Sequence, residues 1–296
     1  MKLSFSVRFV SVLTALSFLA ACGTSPTGRK QILIGSKSDL ALQGEIAFQK
    51  LKDTSTLTTD PVTIDFVSCV ANAIVDQLEG RDAYLDWELI IIEKDVVNAF
   101  VLPGGKIAVY TGILEVTDND DQLAAILGHE VAHVIANHPL ERTSGKTVLG
   151  YGVGLGGAVI GGTPIARRSS YTALQILSQF GLLLPFTRKQ ESEADVIGVE
   201  YMANAGFDPR ESVQLWKNMG AASKNEPPEF MSTHPANETR IKGLVGEFQT
   251  ALPLYNQARE AGRKPDCGAP PKYHRASPEP APKPEAEQDE DAPAES

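Results

Sequence analysis

The sequence lacks an excess of positive charge: 27 Lys and Arg stand against 37 Asp and Glu in 296 residues, a formal net charge of −10. That balance excludes a nucleic-acid binder held by phosphate contacts. With 42% apolar and 22% charged residues, the composition is not that of a disordered or collagen-like chain, and it is sufficient for a packed core. Repeats of 20 to 50 residues are absent, which excludes a solenoid. The N-terminal apolar run, Phe9 to Leu19, is too short to remain as a membrane-spanning helix. Lys2 and Arg8 precede it and small residues end it, the pattern of an export signal. Loss of residues 1–21 removes two positive charges and leaves −12.

Cysteine is scarce, at three. Leu19, Ala20, Ala21 and Cys22 resemble the lipobox of bacterial lipoproteins, in which the cysteine is acylated and becomes the first residue. Several acyl chains make a stable anchor, since each buried methylene adds roughly 0.8 kcal/mol. Gly23, where an Asp would favour inner-membrane retention in similar lipoproteins, points to the periplasmic face of the outer membrane. Cys69 and Cys267 remain, and in an oxidising compartment they read either as a disulfide or as two inert buried thiols.

Residues 22–35 are polar and turn-rich and read as a tether. Residues 264–296, rich in Pro, Glu and Asp, read as a disordered tail, which leaves 36–263 as one domain. Helical spacing predicts helices over Asp39–Lys52 and Val62–Leu78, the second capped by Asp60 and Pro61. Strands are expected at Trp87–Ile92, Ala99–Leu102 and Ile107–Tyr110, the last two flanking a turn at Pro103, Gly104 and Gly105. Asn119 and Gln122 start a helix that runs to about Asn137, and further helices are expected over Lys189–Ala205, closed by Gly206, and Pro209–Ala222, opened by Asp208. The fold class is α+β, mainly helical, with a small sheet beside the central helix. Thr147–Ala166 and Ser169–Thr187 carry no charge; their glycine density and Pro164 favour a lid over a membrane hairpin.

The chemistry concentrates in His129, Glu130 and His133. Residues four apart on a helix lie about 40° apart around its axis, so both imidazoles can hold one metal ion while Glu130 reaches a water on it. Such a triplet arises by chance in roughly one chain in a hundred of this length, so context has to decide. A catalytic zinc ordinarily has three protein ligands and one position for water. Among Glu191, Glu193 and Asp195, the 100° step puts Glu191 and Asp195 on one face and Glu193 almost opposite. Glu191 is therefore expected on the metal, Asp195 behind a ligand histidine, and Glu193 in solvent. Without the first motif, the same residues would read as an ordinary charged helix face. His138, about 140° off the ligand face, reads as a helix-end residue and His274 as part of the tail.

These motifs, with Asn98–Ile107 and the segment from Thr233 to Arg240, resemble the HtpX and CAAX-prenyl-protease family of zinc metalloendopeptidases, in its BepA-like and LoiP-like outer-membrane lipoprotein branch. The resemblance covers roughly residues 36–248 and implies a gluzincin-like domain with one Zn²⁺ per chain. By the same resemblance His129, His133 and Glu191 are the ligands, Glu130 is catalytic, and His234 and Arg240 belong to a loop near the metal. His234 would then latch the fourth position or steady the oxyanion, and Arg240 would touch substrate or position the loop. The expected substrates are misfolded or unassembled envelope proteins, with the strand Ile107–Tyr110 as the edge on which they pair. Two rivals stand beside this reading: an outer-membrane assembly factor or chaperone with a structural zinc, and a scaffold with a chance motif and no metal.

Overall fold

The computed structural model describes residues 22–145, 186–222, 228–235 and 238–271. The expected export signal, residues 147–185, His274 and the rest of the expected tail lie outside the described residues, as does the Cys22 side chain.

Helix α1 (Lys37–Thr54) starts where the Ser36 side chain accepts from Asp39 N, and α2 (Pro61–Val75) where Asp60 accepts from Thr63 N with proline in the first turn. Strands β3 (Glu88–Ile92), β4 (Ala99–Leu102) and β5 (Lys106–Tyr110) form a sheet of order β3-β5-β4, with β5 parallel to β3 and antiparallel to β4. The turn between β4 and β5 uses Gly104 and Gly105 at φ 92° and 86°, where a side chain would be strained. The expected substrate edge, Ile107–Tyr110, is therefore the central strand. Its residues are buried on both faces: Ile107 and Val109 join the core with Phe66, Val70 and Leu123, whereas Ala108 and Tyr110 pack with Phe48 and Leu51 of α1. The edges of the sheet are β3, whose outer side is bonded by Thr56 and Thr58, and β4, which lies against α3 (Asp120–Ile135).

Helix α3 is opened by the Asn119 side chain accepting from Gln122 N, with Asp120 and Asp121 complementing the dipole. Helix α4 (Arg188–Ala205) has a capping box between Thr187 and Gln190 and ends at Gly206, φ 95°. After α5 (Glu211–Ala222) and the short α6 (Glu229–Thr233), α7 (Glu238–Glu260) packs along α4. Among the described residues, no helix is long and apolar enough to cross a membrane.

Both ends of the domain differ from the expected tether and tail. Residues 22–32 form an antiparallel hairpin of β1 (Cys22–Thr24) and β2 (Lys30–Ile32), and Gln31 Nε2 donates to Ala136 O at 2.6 Å. Ile34 N donates to the Ser144 hydroxyl at 2.7 Å. The segment is not a loose tether because its polar groups are satisfied by the domain. At the other end Cys267 is bonded to Cys69 on α2, with Cα atoms 5.6 Å apart, so the first residues of the expected tail are tied down.

Candidate metal centre

Two helices supply the core of the site, and glycine lets them touch. A Cβ on Gly128 of α3 would lie 2.7 Å from Gly198 O of α4, and one on Gly198 would lie 2.7 Å from His129 N. Only a pair of glycines permits that backbone-to-backbone approach. Seven residues before Gly198, two turns along α4, Glu191 arrives beside His129 and His133.

His129, His133, Glu191 and His234 are buried, with one donor atom from each inside a common 4.8 Å. His129 Nε2 lies 3.1 Å from His133 Nε2 and 3.2 Å from His234 Nδ1. Glu191 Oε1 is 3.1 Å from His234 Nδ1 and 3.5 Å from His133 Nε2, and Glu191 Oε2 is 3.5 Å from His129 Nε2. Donors placed tetrahedrally at about 2.0 to 2.1 Å from a zinc ion would be about 3.3 Å from one another, so the spacing fits that ion. The donor chemistry fits as well. Three imidazole nitrogens and a carboxylate converge without enough protons to satisfy one another, an arrangement costly to bury without a cation.

His129 and His133 are each backed from behind. His129 Nδ1 lies 3.1 Å from Asp195 Oδ1, and Asp195 is gripped by Arg240 through Nε at 2.7 Å and Nη2 at 2.6 Å. Arg240 Nη1 lies 2.7 Å from Glu191 Oε2 and donates to Pro235 O at 3.2 Å. The buried Arg240 thus positions both acidic residues and the His234 loop. His133 Nδ1 lies 2.9 Å from His138 Nδ1, and His138 Nε2 lies 3.1 Å from Glu193 Oε2.

Two expectations fail here. Glu193 is 5% exposed, because the N-terminal hairpin covers the face of α4 that was expected to meet water. His138 is fully buried and sits beside His133. Helix α3 ends at Ile135, and Asn137 adopts φ 56°, which swings His138 back towards His133 instead of continuing the 100° step.

Glu130 is buried next to the cluster, its Oε1 3.3 Å from His234 Nε2 and without a hydrogen bond of its own. The His234 ring stacks on Phe230 at 4.6 Å between centroids, and Phe186 stacks on His133 at 3.8 Å. Burial pushes the Glu130 carboxyl up. Glu191 is held well down: burial opposes its charge, but hydrogen bonds from His129 and His234 prevail. Burial disfavours a charged His129, yet Asp195 and Glu191 outweigh it and raise the ring to about 9. His133 is driven well below its ordinary value by burial and by the neighbouring rings.

Comparison with known proteins agrees with this geometry. The model of Peptidase family M48 matches residues 67–247. The mitochondrial metalloendopeptidase OMA1 of Schizosaccharomyces pombe is 39% identical over 74% of this chain and 59% of its own length. The Homo sapiens metalloendopeptidase OMA1 is 27% identical over 86% of this chain and 51% of its own. The β-barrel assembly-enhancing protease of Escherichia coli is 25% identical over 73% of this chain and 45% of its own. The chain spans about half the length of these relatives.

Proposed function

Because the chain belongs to Peptidase family M48, we propose that it is a zinc-dependent metalloendopeptidase, lipid-anchored at Cys22, that cleaves misfolded or unassembled envelope proteins. The observation that carries the reading is the buried set of four donors at tetrahedral spacing beside the unbonded oxygen of Glu130. His129, His133 and Glu191 would hold one Zn²⁺, which when bound supplies a Lewis acid for the scissile carbonyl and acidifies water. Glu130 takes the proton of the attacking water and returns it to the leaving amine nitrogen. Its burial, which raises the carboxyl, suits a group that must hold that proton briefly.

The substrate edge is β4. Tyr110 N donates to Asn98 O, so alternation along the antiparallel pair turns the backbone groups of Ala99 and Val101 away from β5. On that outer edge Phe230 N already bonds Val97 O, four residues before His234. An extended peptide added there pairs through its backbone, which explains tolerance of side-chain identity. The location at the periplasmic face of the outer membrane rests on the export signal and the Leu19–Cys22 lipobox. The relatives named mitochondrial share more identity than the bacterial protease does.

One observation favours a second reading. His234 Nδ1 occupies the fourth corner, and four protein donors make a closed site. The chain would then be an assembly factor with a structural zinc, or a protease held latent until His234 leaves. Zinc content and degradation of an unfolded protein decide. Glu130→Gln is expected to keep one zinc and lose proteolysis, whereas His133→Ala loses both. Equal activity in Glu130→Gln overturns the mechanism. A rise in cleavage in His234→Ala at matched zinc identifies the latch, a large fall identifies a role in the chemical step, and inactivity of wild type and this variant alike favours the assembly factor.

A further inference from the structure

The hairpin that follows Cys22 is wired to a metal ligand. Ser25 and Thr27 donate their hydroxyls to Glu193 Oε1, and Arg29 Nε donates to Glu193 Oε2 at 2.6 Å. Arg29 also forks onto Glu141 with bonds of 2.6 and 2.7 Å, and Gln190 of α4 bonds the same carboxylate at 2.9 Å. Glu141 lies on the helical residues 138–145 that carry His138. One guanidinium therefore cross-links the segment after the His129 helix to the helix of Glu191.

The proton positions along this chain run one way. If His133 Nε2 faces the metal, its Nδ1 carries the hydrogen and donates to His138 Nδ1, which must then be bare. His138 consequently carries its hydrogen on Nε2, where it donates to the Glu193 carboxylate. No link needs a charged imidazole, and every donor meets an acceptor. We propose that the N-terminal hairpin is part of the metal centre: Ser25, Thr27 and Arg29 hold Glu193, Glu193 holds His138, and His138 fixes the ring orientation and tautomer of His133. This inference rests on the reading of His133 as a zinc ligand. Glu193, His138 and Arg29 are positioning residues; none touches substrate.

Partners behind a ligand histidine typically change metal affinity by about 10- to 100-fold when removed. The test measures zinc dissociation constants of the full chain by chelator competition, long-range ¹H–¹⁵N spectra of the zinc-loaded histidines, and melting temperatures after chelator treatment. His138→Leu is expected to weaken zinc by about 10- to 100-fold and to shift the His133 Nδ1–H signal. His138→Asn, whose Oδ1 replaces the lost Nδ1 acceptor, is expected to recover most of the affinity. Arg29→Met, on the half-exposed hairpin, is expected to weaken zinc by about tenfold with the metal-free fold retained. Zinc-binding wild type with unchanged affinity and His133 signal in His138→Leu overturns the inference alone. An effect of His138→Leu with none of Arg29→Met overturns the hairpin's part in it. A fall in metal-free melting temperature with zinc affinity unchanged reduces these residues to a structural role. Wild type that holds no zinc overturns the metallopeptidase reading itself.

Discussion

The two histidines that α3 gives to the cluster, His129 and His133, are supported by different routes. His129 is backed at once by a carboxylate, Asp195, whose arginine comes from α7, 45 residues away. His133 is backed by an imidazole, then by Glu193, whose arginine comes from the first hairpin, 164 residues earlier. Both routes pass through α4, so one helix presents Glu191 to the histidine cluster and Asp195 and Glu193 to the two supports. The direct arm is buried throughout, with Arg240 and Asp195 at 2% and 7% side-chain exposure. The indirect arm comes to the surface at Arg29, with 22%. The difference teaches that one arm is built into the core whereas the other can be disturbed from outside.

Substitutions at three positions sharpen the contrast. Arg240→Ala leaves Asp195 and Glu191 without their buried guanidinium, and loss of one partner of a buried pair costs about 3 to 5 kcal/mol. Denaturant unfolding of the metal-free protein should show that loss; a change below about 1 kcal/mol would mean that the direct arm is not the stronger one. Gly198→Ala strikes both arms, because the new Cβ meets the backbone of His129 and cannot be accommodated by a side-chain rotation. The expected cost is about 1 to 3 kcal/mol together with weakened zinc binding, and an unshifted melting curve would show that the helices can part without harm. Asn137→Ala strikes the indirect arm only. Asparagine offsets the left-handed penalty with a local hydrogen bond, here Asn137 Nδ2 to Ile135 O at 3.2 Å; alanine keeps the Cβ and loses that bond, so it should be destabilised by up to about 1 to 2 kcal/mol, and Asn137→Gly, which has no Cβ, should not be. If both variants behave alike, the turn that returns His138 to the site is not strained.

What could be read from the sequence followed the same division. Glu191 and Asp195 are one helical turn apart on α4, and the 100° step was enough to place one beside the metal position and the other beside His129. The same step misplaced Glu193, since periodicity says which face a residue is on and not what covers that face. The cover is a hairpin whose Arg29 lies 164 residues before Glu193, in a segment whose polar composition reads as a tether. His138 failed for a local reason: the period was carried through Asn137, although asparagine is a residue that tolerates φ > 0 and ends helices. The strand order was more accessible. Ile107 to Tyr110 contains no polar residue until its tyrosine hydroxyl, which is the pattern of a strand buried on both faces and not of an edge. The long helix α7 runs through Pro253, a residue that breaks the usual helix signal, and its extent rests on packing against α4.

The bond between Cys69 and Cys267 closes a covalent ring across 198 residues of sequence, and His129, Glu130, His133, Glu191 and His234 all lie within it. A chain with the proposed peptidase activity is exposed to that activity. A single backbone cut anywhere inside the ring leaves two pieces that remain one molecule, with both helices of the donor cluster still joined through the sulfurs. Such a nicked chain runs as a single species until a reductant is added, and only then separates into fragments. For this fold, covalent survival of self-cleavage is set by the redox state of its surroundings as much as by the cut itself.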